Sequence, residues 1–154
     1  MDTPVWVLVA ICLAIGVQRL AELRLAKRNE AWARREGAKE FGAGHYPLFF
    51  VLHTGWLVAF PAEAVIRGPH LGAYWWAFLG WFALAQGLRY WAIGTLGKRW
   101  NTRILILPGK PPIAEGPYRF IRHPNYLAVI IELASVPLIF GATWTAAIVS
   151  VLNA

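Results

Sequence analysis

Residues 5–17, VWVLVAICLAIGV, contain no charged side chain and no amide, and QRLAELR follows at 18–24. An apolar run of this kind, continued by Arg19, Glu22 and Arg24 at helical spacing, predicts a helix from Pro4 to about Ala26. Such a helix is about 34 Å long at 1.5 Å per residue, enough to cross a hydrocarbon layer near 30 Å. Pro4 suits its first turn. Arg19 and Glu22 are i,i+3 neighbours that either neutralise each other near the interface or face the interior and shape a pocket. The chain of 154 residues is 58% hydrophobic and only 15% charged. That is too apolar for a soluble core of this size, so the bilayer is the expected solvent.

Outward from this run the same pattern recurs. Residues 27–44 are basic, with Lys27, Arg28, Arg34, Arg35 and Lys39 interleaved with Glu30, Glu36 and Glu40. Their first part is expected to continue the helix with Trp32 at headgroup depth, before Gly37, Gly42 and Gly44 loosen the chain. Tyr46–Ile66 reads as a second span, with Gly55 as a point of close helix contact and Pro61 and Glu63 near its far end. Residues 73–95 read as a third, in which Gly80, Ala83 and Gly87 form a small-residue packing face. Arg89 in that span needs a partner, a polar cavity or a ligand, because a membrane-embedded arginine costs roughly 2.5–3.5 kcal/mol.

The connector 97–117 contains Arg103-Ile-Leu-Ile-Leu107 and then Pro108-Gly109, read as an extended segment turning into a small hairpin over the helix ends. The last apolar stretch, residues 126–154, has Pro137 and Gly141 near its middle and Glu132 inside it. Tyr126 to Phe140 gives about 22 Å of helix, short of the hydrocarbon thickness. Two forms follow: one kinked span, or a helical hairpin turning at Pro137–Gly141. Glu132 must be protonated or paired, with Arg89 or Arg122 as the partner. The fold expected is thus an all-α integral membrane bundle of four to five transmembrane helices in a single domain, residues 1–154.

Charge gives the orientation. About eleven of the Lys and Arg residues lie in 27–44 and 97–125, against Arg67 alone in the intervening loop. Both basic segments are expected in the cytoplasm and the N-terminus outside, in a bacterial inner membrane. The net charge of +7 and nine tryptophans do not indicate nucleic acid, because the cations sit in loops and the aromatics inside apolar runs. Cys12, the single cysteine, excludes an intramolecular disulfide. Asp2, where a signal peptide carries positive charge, argues against a cleaved leader. His45 and His53 lie eight apart, without the i,i+4 spacing of a helical metal pair, and no metal site is expected. They are read as interhelical hydrogen-bonding groups or as contacts to a polar substrate group.

The polar centre is residues 115–126, EGPYRFIRHPNY. Gly116-Pro117 signals a turn, Pro124 disfavours helix at His123, and Asn125 is placed to cap a helix beginning near Tyr126. Two arginines, a histidine and two tyrosines thereby stand at the mouth of a membrane helix, as a site or as an interfacial anchor. The run Gly-Pro-Tyr-Arg-Phe-Ile-Arg-His-Pro-Asn-Tyr resembles the G-P-Y-x-x-x-R-H-P-x-Y signature of the isoprenylcysteine carboxyl methyltransferase family. Leu88-Arg89-Tyr90-Trp91-Ala92-Ile93-Gly94-Thr95-Leu96-Gly97 is similar to that family's L-R-x-W-A-I-x-x-L-G segment. Membrane sterol reductases, which use NADPH, carry a similar R-H-P-N-Y run.

The resemblance implies a small membrane enzyme using S-adenosyl-L-methionine, with Gly116, Pro117, Tyr118, His123 and Tyr126 at the cofactor. Arg122 and Arg89 are the candidate catalytic residues, Arg122 by bidentate hold on a methionyl or substrate carboxylate. Taken singly, Arg122 also reads as a lipid-phosphate anchor, and Tyr118 and Tyr126 as an aromatic belt. Family members have the hairpin and continue into a cytosolic tail that helps to hold the cofactor. This sequence lacks that tail and reads as one cut short of it. It also has Ala128 where the family often has glycine. The expected substrate is a lipophilic or prenylated molecule entering from the bilayer, methylated on a carboxylate or a hydroxyl. A carboxylate is already ionised, whereas a phenol or enol requires a base. The competing readings are an NADPH-dependent lipid reductase and a non-enzymatic membrane subunit. Oligomeric state is not legible.

Overall fold

The computed structural model describes residues 5–153; Asp2, Pro4 and Ala154 lie outside them, as does the side chain of His45. Five helices carry the chain: α1 (Val5–Arg35), α2 (Tyr46–Ile66), α3 (Trp75–Leu96), α4 (Pro124–Ile139) and α5 (Thr143–Asn153). Two short strands, β1 (Lys39–Phe41) and β2 (Ile104–Ile106), join the connectors. By length and composition α1 and α2 are able to cross a membrane. The 22-residue α3 carries Gln86, Arg89 and four tryptophans. At 16 and 11 residues, α4 and α5 are shorter.

Helix α1 has 31 residues and is about 46 Å long, so its basic end projects past any 30 Å layer. It stops where Gly37 takes φ +82°. Gly37 N then donates to Arg34 O and Ala38 N to Ala33 O at 2.9 Å, closing the last turn around a left-handed residue. The extended segment predicted at 103–107 forms at Ile104–Ile106, but it does not fold back on itself. It pairs antiparallel with β1, with Glu40 opposite Leu105. The reason is charge: Glu40 accepts from Arg103 at 2.6 Å and from Arg34 at 2.5 Å, and Arg103 also lies over the Tyr46 ring. The Arg103 hydrogen bond, then that of Arg34, holds the Glu40 carboxyl below the usual carboxylate range.

Between the two forms open for residues 126–154, the chain takes the hairpin. Gly141 at φ +68° makes the turn, and a Cβ there would lie 2.6 Å from His70 Nε2. Gly72 comes equally close on the other side of the loop, where a Cβ would meet Leu138 O at 2.4 Å. Glu63 and Arg67 fasten this end. The Glu63 carboxylate accepts from the backbone N–H groups of Trp144 and Thr145 at the start of α5, and Arg67 donates to Gly141 O and Thr143 Oγ1. This is an N-cap supplied from another helix.

Pro137 stays inside α4. Lacking an N–H, it cannot pair with the carbonyl four residues back, that of Leu133. Trp56 Nε1 donates to that carbonyl at 3.1 Å, from α2. Trp56 is buried and lies tilted against Phe60, which in turn stacks with Phe140. These rings, with Leu133, Val136, Ile139 and Val149, are the core among α2, α4 and α5.

The small-residue face expected on α3 is corrected. Gly80, Ala83 and Gly87 are exposed, and an added Cβ at either glycine meets nothing within 4 Å. Gly55 on α2 is open in the same way. The face that α3 buries is Ala85, Arg89 and Ala92, at i, i+4 and i+7. Desolvating Arg89 beside its carboxylates decides which way α3 turns, and the small side chains beside it let α4 approach.

Candidate functional site

Three helices each bring polar groups to one level of the bundle. Gln18, Arg19 and Glu22 come from α1, Gln86 and Arg89 from α3, and Glu132 from α4. Glu132, 2% exposed, accepts from Arg19 on both oxygens at 2.6 and 2.7 Å, from Gln86 at 3.2 Å, and from Arg89. Glu22 accepts from Arg19 at 2.5 Å, from Gln18 at 3.1 Å and from Arg89 at 3.5 Å. Gln18 donates to Gln86 at 2.6 Å. Two guanidiniums therefore balance two carboxylates. Mutual hydrogen bonding is what allows four charges to be taken out of water together.

Arg89 thus has the partner its burial demands, and Glu132 takes Arg89 rather than Arg122, which is exposed at the other end of the Pro124 turn. The second partner, Arg19, was not anticipated for Glu132. The i,i+3 spacing of Arg19 and Glu22 puts both on one face of α1, and the bonds to Glu132 turn that face inward. Gln18 and Gln86 gave no comparable signal, because an amide in an apolar helix has many possible partners.

Against this cluster opens a groove of about 1220 Å³ between α1 and α2. Val5, Leu8, Val9, Leu13, Phe50, Leu57, Val65 and Ile66 make its apolar walls. Arg19, Glu22, His53 and Arg89 line its polar part, and Tyr46, Trp100, Asn101, Thr102, Asn125 and Tyr126 its mouth. The mouth is held by amides. Asn29 Nδ2 donates to Trp100 O at 2.7 Å and to Gly97 O, and Asn101 Nδ2 to Ala26 O, tying α1 to the connector after α3.

The structure divides the candidate residues of the 115–126 collar into two sets. Gly116–Arg119 forms one 3₁₀ turn that packs on the end of α3: at φ +53°, a Cβ on Gly116 would meet Thr95 Oγ1 at 2.4 Å and Trp91 Nε1 at 3.1 Å. Pro117 is buried there, and burial pushes the Tyr118 phenol up from its ordinary value. Arg122 and His123 are exposed and have no partner among the described residues. Asn125 and Tyr126 belong to the groove. The Tyr126 hydroxyl donates to Asn153 O at 2.5 Å, so α5 returns to the collar. Pro124, not Asn125, opens α4, with His123 at the cap position. The Asn125 side chain is free of capping duty, and its Oδ1 is buried without a donor among the described residues. Ala128 is fully buried, its methyl accommodated in the packing of α4.

Among the described residues, five helices with a buried ion cluster, an apolar groove beside it and a polar collar at the groove mouth make the architecture of a helical membrane protein. Its collar and the end of α3 fall within residues 77–154, which match the model of the isoprenylcysteine carboxyl methyltransferase family. The chain belongs to this family of membrane methyltransferases. It is 37% identical over 149 residues to YpbQ of Bacillus subtilis (strain 168), described as an uncharacterized protein, covering 97% of this chain and 87% of YpbQ. It is 27% identical over 129 residues to an uncharacterized protein of Haemophilus influenzae, covering 83% of this chain and 75% of that protein. No solved structure matches.

Proposed function

We propose that the chain is an S-adenosyl-L-methionine-dependent O-methyltransferase that acts on the carboxylate or hydroxyl of a lipophilic or prenylated substrate drawn from the bilayer. The observation that carries this reading is the groove: apolar along most of its length, polar at one depth, and open at a mouth made partly by the collar residues Asn125 and Tyr126. A lipid tail fits the first part, a reacting headgroup the second, and a water-soluble methyl donor the third.

The collar suits such a donor. Asn125 Oδ1 is a buried acceptor in want of an N–H, and Arg122 and His123 are uncommitted polar groups beside it. In this reading Gly116, Pro117, Tyr118, His123 and Tyr126 form the cofactor site. Arg122 orients a carboxylate, and Arg89 keeps the polar floor of the groove in place. S-adenosyl-L-methionine supplies a methyl group on a sulfonium; the protein's contribution is alignment and exclusion of water. The helices α1, α2 and α3 each cross the inner membrane with the α4–α5 hairpin packed against them, four to five membrane segments in all. The N-terminus then lies outside and the collar in the cytoplasm, since the basic residues gather at the collar end.

Calorimetry of the full-length chain in detergent tests this directly. S-adenosyl-L-methionine and S-adenosylhomocysteine are expected to bind and NADPH not to bind. Binding of NADPH alone, or of none of the three, would remove the methyltransferase reading.

A further inference from the structure

We propose that the strand pair β1–β2 is seated in the headgroup layer of the membrane, with Phe41, Ile104 and Ile106 turned into the upper acyl chains and Lys39 among anionic headgroups. The seat depends on α2 crossing the bilayer and not on the reaction the protein catalyses.

For a ribbon in water the pair is built inside out. Side chains alternate between the two faces of a strand, and the register sets Phe41 opposite Ile104, Glu40 opposite Leu105 and Lys39 opposite Ile106. Phe41, Ile104 and Ile106 therefore share the outer face, where they are 51, 62 and 54% exposed. The inner face carries the carboxylate of Glu40 beside the half-buried Leu105. That carboxylate is held against the protein by Arg103 and Arg34. An antiparallel ribbon with one face in water turns its apolar side chains inward and its charges outward. The opposite order suits surroundings that are themselves apolar. Three large apolar side chains side by side on one small ribbon also form a patch rather than scattered exposure.

The ribbon stands at the right depth. Helix α2 has 21 residues and is about 31 Å long, so in a hydrocarbon layer near 30 Å its first residue, Tyr46, lies at the edge. The Arg103 guanidinium sits 4.3 Å from the centre of the Tyr46 ring, which fixes the start of β2 at that edge. Ile104 follows directly, paired with Phe41. The Lys39–Ile106 pair is two residues further along the ribbon, about 7 Å. A headgroup layer is about 5–8 Å thick on each side, so the ribbon matches it in length.

Charge selects the occupant. The carboxylates of Glu30 and Glu40 are taken by Arg34 and Arg103, and Lys39 has no carboxylate partner among the described residues. Residues 97–123, which carry β2, contain six Lys and Arg against one Glu. Cations at a bilayer surface are drawn to anionic lipid, about fivefold in the equilibrium for each charge. A protein partner fits less well: three half-exposed side chains fall far short of the about 800 Å² that each side of a standard interface buries. The seat has a consequence for the groove. Trp100, Asn101 and Thr102 run straight into β2 and line the mouth with Tyr46, so a ribbon held in the leaflet fixes that mouth at headgroup depth.

The test uses the full-length chain with Cys12→Ala, one copy per lipid nanodisc, and a nitroxide on a single new cysteine. Phe41→Cys, Ile104→Cys and Ile106→Cys probe the outer face; Val51→Cys on the outer side of α2 gives the lipid reference and Glu36→Cys the water reference. All five positions are exposed, so the label displaces no core side chain. Collision rates are measured with oxygen, which concentrates in acyl chains, and with a water-soluble nickel chelate. The oxygen-to-nickel ratio at 41, 104 and 106 is expected to be severalfold above that at 36 and to approach that at 51. At 104 it is expected to rise from phosphatidylcholine discs to discs that also contain phosphatidylglycerol. Adding Lys39→Gln should reduce that rise, by up to about fivefold for the one charge removed. Ratios at 41, 104 and 106 equal to that at 36 would overturn the proposal, because the face would then stand in water. Exclusion of both reagents from all three positions would also overturn it, by showing that the rest of the chain covers the face. A ratio at 104 indifferent to phosphatidylglycerol would remove the anionic headgroup as the partner of Lys39.

Discussion

Replacing Trp56 by Phe removes one N–H from the protein interior together with part of a buried ring, so its cost has a hydrogen-bond part and a packing part. The donor lost is the partner of Leu133 O, at 3.1 Å, the carbonyl that Pro137 leaves without an intrahelical partner. With Trp56 only 3% exposed, no water replaces it. A buried acceptor left bare costs about 1–3 kcal/mol in soluble proteins. Interhelical hydrogen bonds in a membrane protein average about 0.6 and reach about 1.7 kcal/mol, because the unfolded reference also finds partners. The carbonyl here has no such alternative, since the residue four positions on has no hydrogen to give. The hydrogen-bond part of the loss is therefore expected to be about 1–2 kcal/mol, with the packing part added to it, read as ΔΔG from reversible unfolding in mixed detergent micelles. The proline makes the reasoning testable by a double-mutant cycle. Pro137→Ala restores an N–H that can pair with Leu133 O, so Trp56→Phe in that background should cost about 1 kcal/mol less than in the wild type. Equal costs in the two backgrounds would show that Trp56 contributes only by packing, and would refute the hydrogen-bond account.

Two further outcomes follow from the ion pairs. Glu132→Gln leaves Arg19 and Arg89 facing each other with one carboxylate fewer, and should destabilise by about 3–5 kcal/mol, whereas Arg34→Gln, which breaks exposed pairs, should cost no more than about 1 kcal/mol; similar ΔΔG values in micelle unfolding would contradict the burial argument. Because Arg103 and Arg34 hold the Glu40 carboxyl low, the unfolded chain takes up that proton first as pH falls. The contribution of Glu40 is thus full above the ordinary glutamate value of about 4.3 and is lost as pH drops through the lower folded value. Protection factors for amide exchange at 39–41 and 104–106, taken against the intrinsic rate at each pH, should fall over that range in the wild type and stay flat in Glu40→Gln; parallel curves would show that another group opens the strand pair.

The parts of this fold legible in the sequence are those set by local periodicity. The bounds of α2 and the pairing of Arg19 with Glu22 on one helix face follow from helical spacing, which left open whether that face turns inward. The need of Arg89 for a counter-charge follows from solvation alone. Pro137 and Gly141 announced a break without deciding its form. The hairpin depends on Glu63 capping α5 and on the close passage of Gly72 and His70, contacts made by residues some seventy positions away. The face of α3 was misread because small residues describe what a surface permits, while the buried arginine dictates which side turns inward. The collar was legible as a turn, yet its division between an α3-packed turn at Gly116–Arg119 and the groove-lining Asn125 and Tyr126 depends on tertiary placement. The groove itself left no local mark, since each of its walls is an ordinary apolar helix face.

That groove also bears on why α1 is attached as it is. Along its 31 residues α1 buries only Leu8, Ile15, Ala26, Asn29 and Ala33. Its ties to the rest of the fold include Arg19 to Glu132, Gln18 to Gln86, Asn29 to Gly97 and Trp100, and Asn101 to Ala26. In water an apolar groove of about 1220 Å³ with so few apolar contacts across it would collapse, because closing it would remove surface from solvent. Within hydrocarbon that force vanishes: an acyl chain in the groove is as good a neighbour as a leucine, and helices are held by packing and polar bonds. The same solvent accounts for the exposure of Trp6, Val51, Trp76 and Leu84 on the outer faces. Polar ties at fixed depths and apolar faces left apart are therefore the two halves of one arrangement. It keeps a lipid-wide opening between α1 and α2 without a stability penalty, and ends that opening against the ion cluster.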